Sequence, residues 1–167
     1  GLKSTILRYF NASGADPDGE VGEKHDPETH LIPLILDAVM GVRENITVFG
    51  TDYDTRDGTC IRDYIHVNDL AQAHLLALDW MIENQRCNHF NLGNGEGFTV
   101  KEIIEVVEKV TGKPVPIKLG ERREGDAASL IGSSEKARHL LGWRPRLNSI
   151  EDIVSTAWTW HQKMRMS

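Results

Sequence analysis

Residues 62–81 read RDYIHVNDLAQAHLLALDWM, and this stretch contains the transition that decides the fold class. Residues 62–67 combine aromatic and β-branched side chains, which favour a β-strand. From Leu70 onward, Ala71, His74, Leu75, Leu78 and Met81 recur at helical spacing and predict the inner face of a helix. A strand that leads directly into a helix is typical of an α/β unit.

The same alternation of strand and helix patterns continues on both sides of this stretch. We expect further strands at residues 4–10, 46–49, 89–92, 115–119 and 130–131, and further helices beginning near Leu31, Thr99, Ser133 and Ser149. Thr99 and Glu102 form a capping-box pattern. The sequence therefore predicts one α/β region over residues 1–167. Because the first strand has almost no lead-in, we expect the chain to begin inside a larger protein.

Composition excludes several classes of protein. With 19 Lys and Arg against 25 Asp and Glu, the net charge is −6, the wrong sign for a domain that follows nucleic-acid phosphates. No apolar stretch approaches the ~18 residues of a membrane helix. Two cysteines are too few for a disulfide framework. These features predict a cytoplasmic protein without a nucleic-acid or membrane partner.

The glycine-rich residues 91–99, NLGNGEGFT, lie between a predicted strand and a predicted helix. Glycine loops in this position can bind the pyrophosphate of a dinucleotide. However, Phe98 occupies the place of the third glycine of the fingerprint, and no acidic residue ends a strand about 20 residues later. We therefore interpret this segment as a tight structural turn.

The histidines and cysteines form no recognised metal-ligand spacing, so the sequence predicts no metal site. His74 falls on the predicted apolar face of its helix, which favours a histidine in the core. No G-x-S-x-G nucleophile elbow is present.

Polar residues at the predicted strand ends allow two interpretations. Asn11 follows the first strand, Arg62 opens another, and residues 122–126 form the cluster RREGD. Arginines from separate segments could converge on a diphosphate, because the guanidinium fork matches phosphate oxygens, and a nearby Asp could accept from sugar hydroxyls. Equally, such charges often form surface ion pairs. The spacing alone leaves both alternatives open.

Five strings of residues carry a resemblance to a known family. They are LRYFNASGA at 7–15, DGTCIRDYIHVNDLA at 57–71, HFNLGNG at 89–95, RREGD at 122–126 and LGW at 141–143. Together they resemble the carboxyl-terminal half of the UDP-glucose 4-epimerase family, a branch of the extended short-chain dehydrogenase/reductases. The resemblance runs in unbroken order from about Leu2 to His161 and favours the anion-site interpretation.

The resemblance implies a site for a UDP-hexose, with a role for each matching position. Asn11, Arg62 and Arg123 match residues that contact the diphosphate, and Asp126 matches the carboxylate that accepts from the ribose hydroxyls. His30 and Leu31 match a pair near the phosphates and uracil, where one common form of the family has Asn in place of His30. The remaining matches are Thr47, Val48 and Phe49 around uracil, Leu130 in the wall of the hexose cavity, and Tyr9 and Phe10 at the nicotinamide pocket.

The resemblance also implies what this chain lacks. In the family an amino-terminal Rossmann portion binds NAD and supplies a Tyr-x-x-x-Lys pair that exchanges the proton of the sugar 4-hydroxyl. The residues four after Tyr9, Tyr53 and Tyr64 are Ser13, Asp57 and Asn68. We therefore expect no catalytic residue in this chain, no activity from the chain alone, and a first strand that completes the Rossmann sheet of a homodimeric enzyme.

Two other functions fit the same residues. One is another NAD-dependent nucleotide-sugar epimerase or dehydratase of the same branch. The other is a non-catalytic nucleotide-sugar-binding module without a Rossmann portion.

Overall fold

The computed structural model describes residues 1–166, in which nine strands and five helices alternate. The strands are β1 (Thr5–Tyr9), β2 (Asn11–Ser13), β3 (Ile46–Phe49), β4 (Ile61–Arg62), β5 (Tyr64–His66), β6 (Asn88–Leu92), β7 (Phe98–Thr99), β8 (Ile117–Gly120) and β9 (Ser129–Leu130). The helices are α1 (Leu31–Val39), α2 (Val67–Asn84), α3 (Val100–Thr111), α4 (Glu135–Leu140) and α5 (Ile150–Met166). The α/β prediction is confirmed.

The strands pair in short, mostly parallel sets. β1 pairs with β6, β2 with β5, and β3 with β8, each in parallel. β4 lies between β7, which runs antiparallel to it, and β9, which runs parallel. This last pairing aligns Arg62 with Leu130 and places the 122–126 segment beside β4.

Two hydrophobic clusters support these strands. The larger contains buried residues of α1, β3, α3 and α5, among them Ile35, Val48 and Ile153. The smaller packs α2 and α4 against β5 and β6 around the fully buried Phe90 and Trp143.

The buried face of α2 differs from the prediction. Leu75 and Leu78 are 65% and 47% exposed, whereas Leu70, Ala73 and Ala77 are buried. The interpretation of His74 as a core histidine was also wrong, since its exposed ring contacts Leu70 O at 2.7 Å. The helix has two apolar stripes, and the stripe of small residues fits closely against β1 and β6.

Several short strands also differ from the sequence prediction. The strand expected over residues 62–67 is divided into β4 and β5 at Asp63, whose carboxylate accepts from backbone amides instead of facing a neighbouring strand. β2 and β7 were not predicted, because two or three residues carry no periodicity. The capping box of α3 is confirmed: Thr99 Oγ1 accepts from Glu102 N, and Glu102 Oε2 accepts from Thr99 N.

Two glycines of the 91–97 loop meet close backbone and side-chain neighbours, whereas Gly95 has nothing within 4 Å and takes a positive φ. A Cβ at Gly93 would lie 2.2 Å from Gly132 O, and one at Gly97 would lie 2.3 Å from Ile61 Cγ2. Close packing thus accounts for these two glycines, in agreement with a structural turn. Within residues 1–166, no helix has the length and apolar content needed to cross a membrane.

Candidate anion-binding site

A cavity of about 240 Å³ opens between α1, β2, β3 and β4. Seven of the residues singled out in the sequence line it: Asn11, His30, Leu31, Thr47, Phe49, Arg62 and Arg123. These residues come from five separate segments, and the parallel strand pairs bring the ends of those segments together.

Two arginines at this cavity share one carboxylate. Arg62 Nη2 lies 3.0 Å from Asp126 Oδ1, and Arg123 Nε lies 2.9 Å from Asp126 Oδ2. Arg62 is largely buried, and its Nη1 also donates to Ala127 O and Ile61 O. The three side chains together carry a net charge of +1 beside the cavity. Such a cluster can bind an anion through charge-assisted hydrogen bonds.

The two arginines differ in exposure and packing. The side chain of Arg62 is 15% exposed, while that of Arg123 is 59% exposed. The Arg123 guanidinium lies 5.0 Å from the centroid of the Phe49 ring, so an aromatic face and a cation meet at the cavity mouth. A flat, aromatic ligand with a charged tail fits this combination.

The other predicted site residues lie around the cavity without lining it. Val48 is buried in the larger cluster, and only its neighbours Thr47 and Phe49 reach the cavity. Leu130 is 45% exposed beside Arg62. Tyr9 and Phe10 are about as exposed, and the Phe10 ring packs on Gly132.

Asn11, in the cavity wall, is hydrogen-bonded to the main chain at the junction of β4 and β5. Its Nδ2 donates to Asp63 O at 2.7 Å, and its backbone N donates to the same oxygen at 3.2 Å. In this arrangement the Asn11 side-chain oxygen is the group left for further contacts.

Asp63 is a functional candidate that sequence reasoning did not identify. Its carboxylate is fully buried and accepts from the backbone N of Asn94 at 3.0 Å, Gly132 at 3.1 Å and Gly95 at 3.4 Å. Burial raises its pKa above the ordinary value, and these amide donors oppose that effect. The sequence did carry one indication of this role, because Asp63 is a charged residue within a predicted strand. Asp63 fixes two loops immediately beside Arg62.

The fold and this site define an α/β protein with a cationic, partly aromatic cavity, and comparison with known proteins gives the family. The model of the NAD dependent epimerase/dehydratase family matches residues 1–93. Because this match covers more than half of the chain, the chain belongs to that family.

The curated relatives are similar over nearly the whole chain. A UDP-glucose 4-epimerase of Halalkalibacterium halodurans is 56% identical over 163 residues, which cover 98% of this chain and 49% of the relative. One of Rhizobium meliloti is 55% identical over the same shares of each chain. This chain thus spans about half the length of the curated relatives it matches.

Solved structures agree with this similarity. A crystal structure of UDP-glucose 4-epimerase has a TM-score of 0.95 and 52% identity, covering 98% of this chain and 50% of that chain. The UDP-Glc/GlcNAc 4-epimerase of Campylobacter jejuni has a TM-score of 0.81 and 45% identity, covering 96% of this chain and 49% of that one. The chain is therefore similar in structure to about one half of the length of each of these enzymes.

Proposed function

We propose that this chain is the carboxyl-terminal, UDP-sugar-binding half of a UDP-glucose 4-epimerase. The whole enzyme would interconvert UDP-glucose and UDP-galactose by NAD-mediated oxidation and reduction at C4. The convergence of Arg62 and Arg123 on Asp126 at the cavity is the observation that carries this proposal. A chain with this cluster can hold a nucleoside diphosphate by its phosphates and its ribose.

Each residue of the cluster binds a different part of the nucleotide. Arg62 and Arg123 donate to the diphosphate oxygens, because the guanidinium fork matches them and stays charged at all working pH values. Asp126 orients both guanidinium groups and accepts from the ribose hydroxyls. The Phe49 ring packs against uracil, while backbone groups of Thr47 and Val48 address the edge of the base. The nucleotide then stays fixed while the hexose turns about its phosphate linkage.

Three features support assigning the chain to the carboxyl-terminal half. It contains neither the glycine fingerprint nor a tyrosine followed four residues later by lysine. Among residues 1–166, β1 pairs only with β6, and a parallel sheet of two strands is small, since parallel sheets usually belong to larger sheets with both faces covered. Ile6 on β1 and Leu75 on α2, the helix that contacts β1, are exposed apolar residues.

The nicotinamide cofactor fits poorly on this chain alone. Gly93 and Gly97 pack closely against Gly132 O and Ile61, so these two glycines serve internal packing and do not face a ligand. We therefore assign NAD mainly to the amino-terminal half, with Tyr9 and Phe10 beside the nicotinamide. The acid/base pair belongs to the same half, and the homodimer and cytoplasmic location stay predictions.

The volume of the cavity also favours a shared site. Pockets for drug-sized ligands enclose roughly 300–1,000 Å³, more than the 240 Å³ found here. This chain therefore supplies the nucleotide part of the site and leaves the hexose to face the other half.

An activity measurement tests the proposal. The purified 167-residue chain, incubated with NAD and UDP-galactose in an assay for UDP-glucose, should give no turnover above the blank. A longer protein that adds an amino-terminal Rossmann portion should turn over under the same conditions. Turnover by the chain alone would overturn the assignment of the acid/base pair to another part, and inactivity of the longer protein would overturn the proposed reaction.

A further inference from the structure

The loop that precedes α1 gathers two histidines and two glutamates in one cluster. Glu23, His25, Glu28 and His30 each offer one side-chain N or O atom, and these four atoms all lie within 4.8 Å of one another. We propose that this cluster, hereafter the 23–30 cluster, binds one Zn²⁺ ion. The 23–30 cluster borders the candidate nucleotide site, since His30 and Glu23 line that cavity, and the proposal replaces the sequence-based prediction of no metal.

Hydrogen bonds among the four side chains cannot use the arrangement fully. His30 Nδ1 lies 2.7 Å from Glu23 Oε1 and 2.9 Å from Glu28 Oε1. His25 Nδ1 lies 2.8 Å from the same Glu23 oxygen. A ring nitrogen carries one hydrogen at most, so one Nδ1–H can only be shared, at poorer geometry, between the two carboxylates. A cation between them contacts both imidazoles and both carboxylates at once.

The spacing of the ligand atoms suits a small tetrahedral ion. Zn–N and Zn–O bonds of about 2.0–2.2 Å place neighbouring ligand atoms roughly 3.4 Å apart. Three separations between imidazole nitrogens and carboxylate oxygens are 2.7–2.9 Å, shorter than this value, and the separation from His25 Nδ1 to Glu28 Oε2 is 4.0 Å. All four atoms lie within 4.8 Å of one another, so a coordination shell requires the short pairs to separate and the longest pair to close by about 1.4 Å.

One of the carboxylates is already held in place by the backbone. Glu28 Oε1 accepts from Thr29 N and from His30 N, both at 2.7 Å. Hydrogen bonds of this kind orient a ligating carboxylate and are a regular part of metal sites. The carboxylates are shielded, with side-chain exposures of 22% and 15%, whereas the rings of His25 and His30 are about half exposed. An ion can thus enter past the histidines and settle between the glutamates.

The ligand types favour a transition-metal ion such as Zn²⁺ over the alkaline-earth ions. Two imidazoles with two carboxylates suit Zn²⁺, whereas Mg²⁺ and Ca²⁺ prefer shells made of oxygen alone. Glu23 and His30 also line the cavity of the candidate site, so the ion would lie in the wall of that cavity.

Calorimetric titration with ZnCl₂ alone tests the proposal. All proteins carry Cys87→Ser, since this exposed thiol is itself a zinc ligand. The parent should bind one equivalent, and His25→Ala and Glu23→Gln should each weaken binding by about tenfold or more. His139→Ala is the matched control, because His139 is exposed and distant in sequence, and it should bind as the parent does. MgCl₂ should give no saturable heat.

A second readout reports the coordination directly. Co²⁺ in place of Zn²⁺ should give visible absorption bands of a four-coordinate ion in the parent, and His25→Ala should lose them. Absence of saturable Zn²⁺ binding would overturn the proposal, and so would binding that survives both His25→Ala and Glu23→Gln unchanged. Equal loss in His139→Ala would also overturn it, because binding would then not belong to the 23–30 cluster.

Discussion

At the scale of single residues, Asp63 shows how a buried charge can be held without a cation. Three backbone amides donate to its carboxylate, and its own carbonyl accepts from Asn11. A carboxylate without such donors would be costly at this depth. The contacts tie the turn after β6 and the segment after β9 to the junction of β4 and β5. Arg62 is therefore presented from a rigid position.

We expect Asp63→Asn to lower the free energy of unfolding by about 1–3 kcal/mol, because an amide group would turn an N–H toward backbone donors. Denaturant unfolding measures this difference. Asp79→Asn is the control, since Asp79 is exposed on α2, and it should change stability by less than about 0.5 kcal/mol. Equal stabilities for the two variants would show that the carboxylate of Asp63 is not holding these loops.

At the scale of elements, the amino terminus of α3 combines a capping box with an ion pair. Glu102 accepts from Thr99 N, and Arg56 Nε donates to its other oxygen at 2.6 Å. This hydrogen bond with Arg56 lowers the pKa of Glu102 below its ordinary 4.5. Arg56 also donates to Gly97 O, so the pair joins the glycine loop to the helix.

The lowered pKa of Glu102 predicts a pH dependence of stability. A carboxyl group whose native pKa is depressed contributes stability above its unfolded pKa, and that contribution is lost as the pH falls through the native pKa. We expect the free energy of unfolding to fall more steeply below about pH 4.5 in the parent than in Glu102→Gln. Glu105→Gln, on an exposed position of the same helix, should keep the parent's slope. Parallel curves for all three proteins would rule out this linkage.

The same elements show what the sequence could predict. The positions of α1, α3 and α5 followed from helical periodicity and from Thr99, Glu102 and Gly112 at the ends of α3, because these signals are local. The inner face of α2 was not predictable locally. Its sequence carries a stripe of large apolar residues and a stripe of alanines, and only the neighbouring strands decide which one is buried.

Some residues of the site could be predicted from the local sequence, whereas their contacts depend on segments that are distant in sequence. Arg62, Arg123 and Asp126 were singled out as charged residues at strand ends, and the structure brings them together. Their convergence depends on the pairing of β4 with β9, which joins segments more than 60 residues apart. Asp63 and the 23–30 cluster were missed, since backbone donors and loop geometry leave no regular spacing in a sequence.

At the scale of the whole molecule, one surface has the character of an interface. Leu75, Leu78 and Ile82 form an exposed apolar stripe along α2, on the helix that packs against β1. Large exposed apolar stripes are uncommon on isolated domains. Under the proposed function, this stripe and the open edge of β1 are where the amino-terminal half packs.

We expect Leu78→Lys to leave the stability of the 167-residue chain within about 0.5 kcal/mol of the parent, because the side chain is already 47% exposed. In a longer protein that contains the amino-terminal half, the same change should cost about 1.5–3 kcal/mol, the value of burying a leucine side chain. Denaturant unfolding of both proteins measures the contrast. Val42→Lys, which replaces an exposed loop residue, is the control and should be neutral in both. A neutral Leu78→Lys in the longer protein would contradict the assigned interface.

Calorimetric titration of the protein with UDP tests the central claim most directly. Each arginine supplies a charge-assisted contact to phosphate worth roughly 1.5–3 kcal/mol, so Arg62→Ala and Arg123→Ala should each weaken binding by about 10- to 150-fold. Arg86→Ala, at an exposed position after α2, should bind UDP as the parent does. Unchanged affinity in both cavity variants, or an equal loss in Arg86→Ala, would contradict the assignment of this cavity to a nucleoside diphosphate.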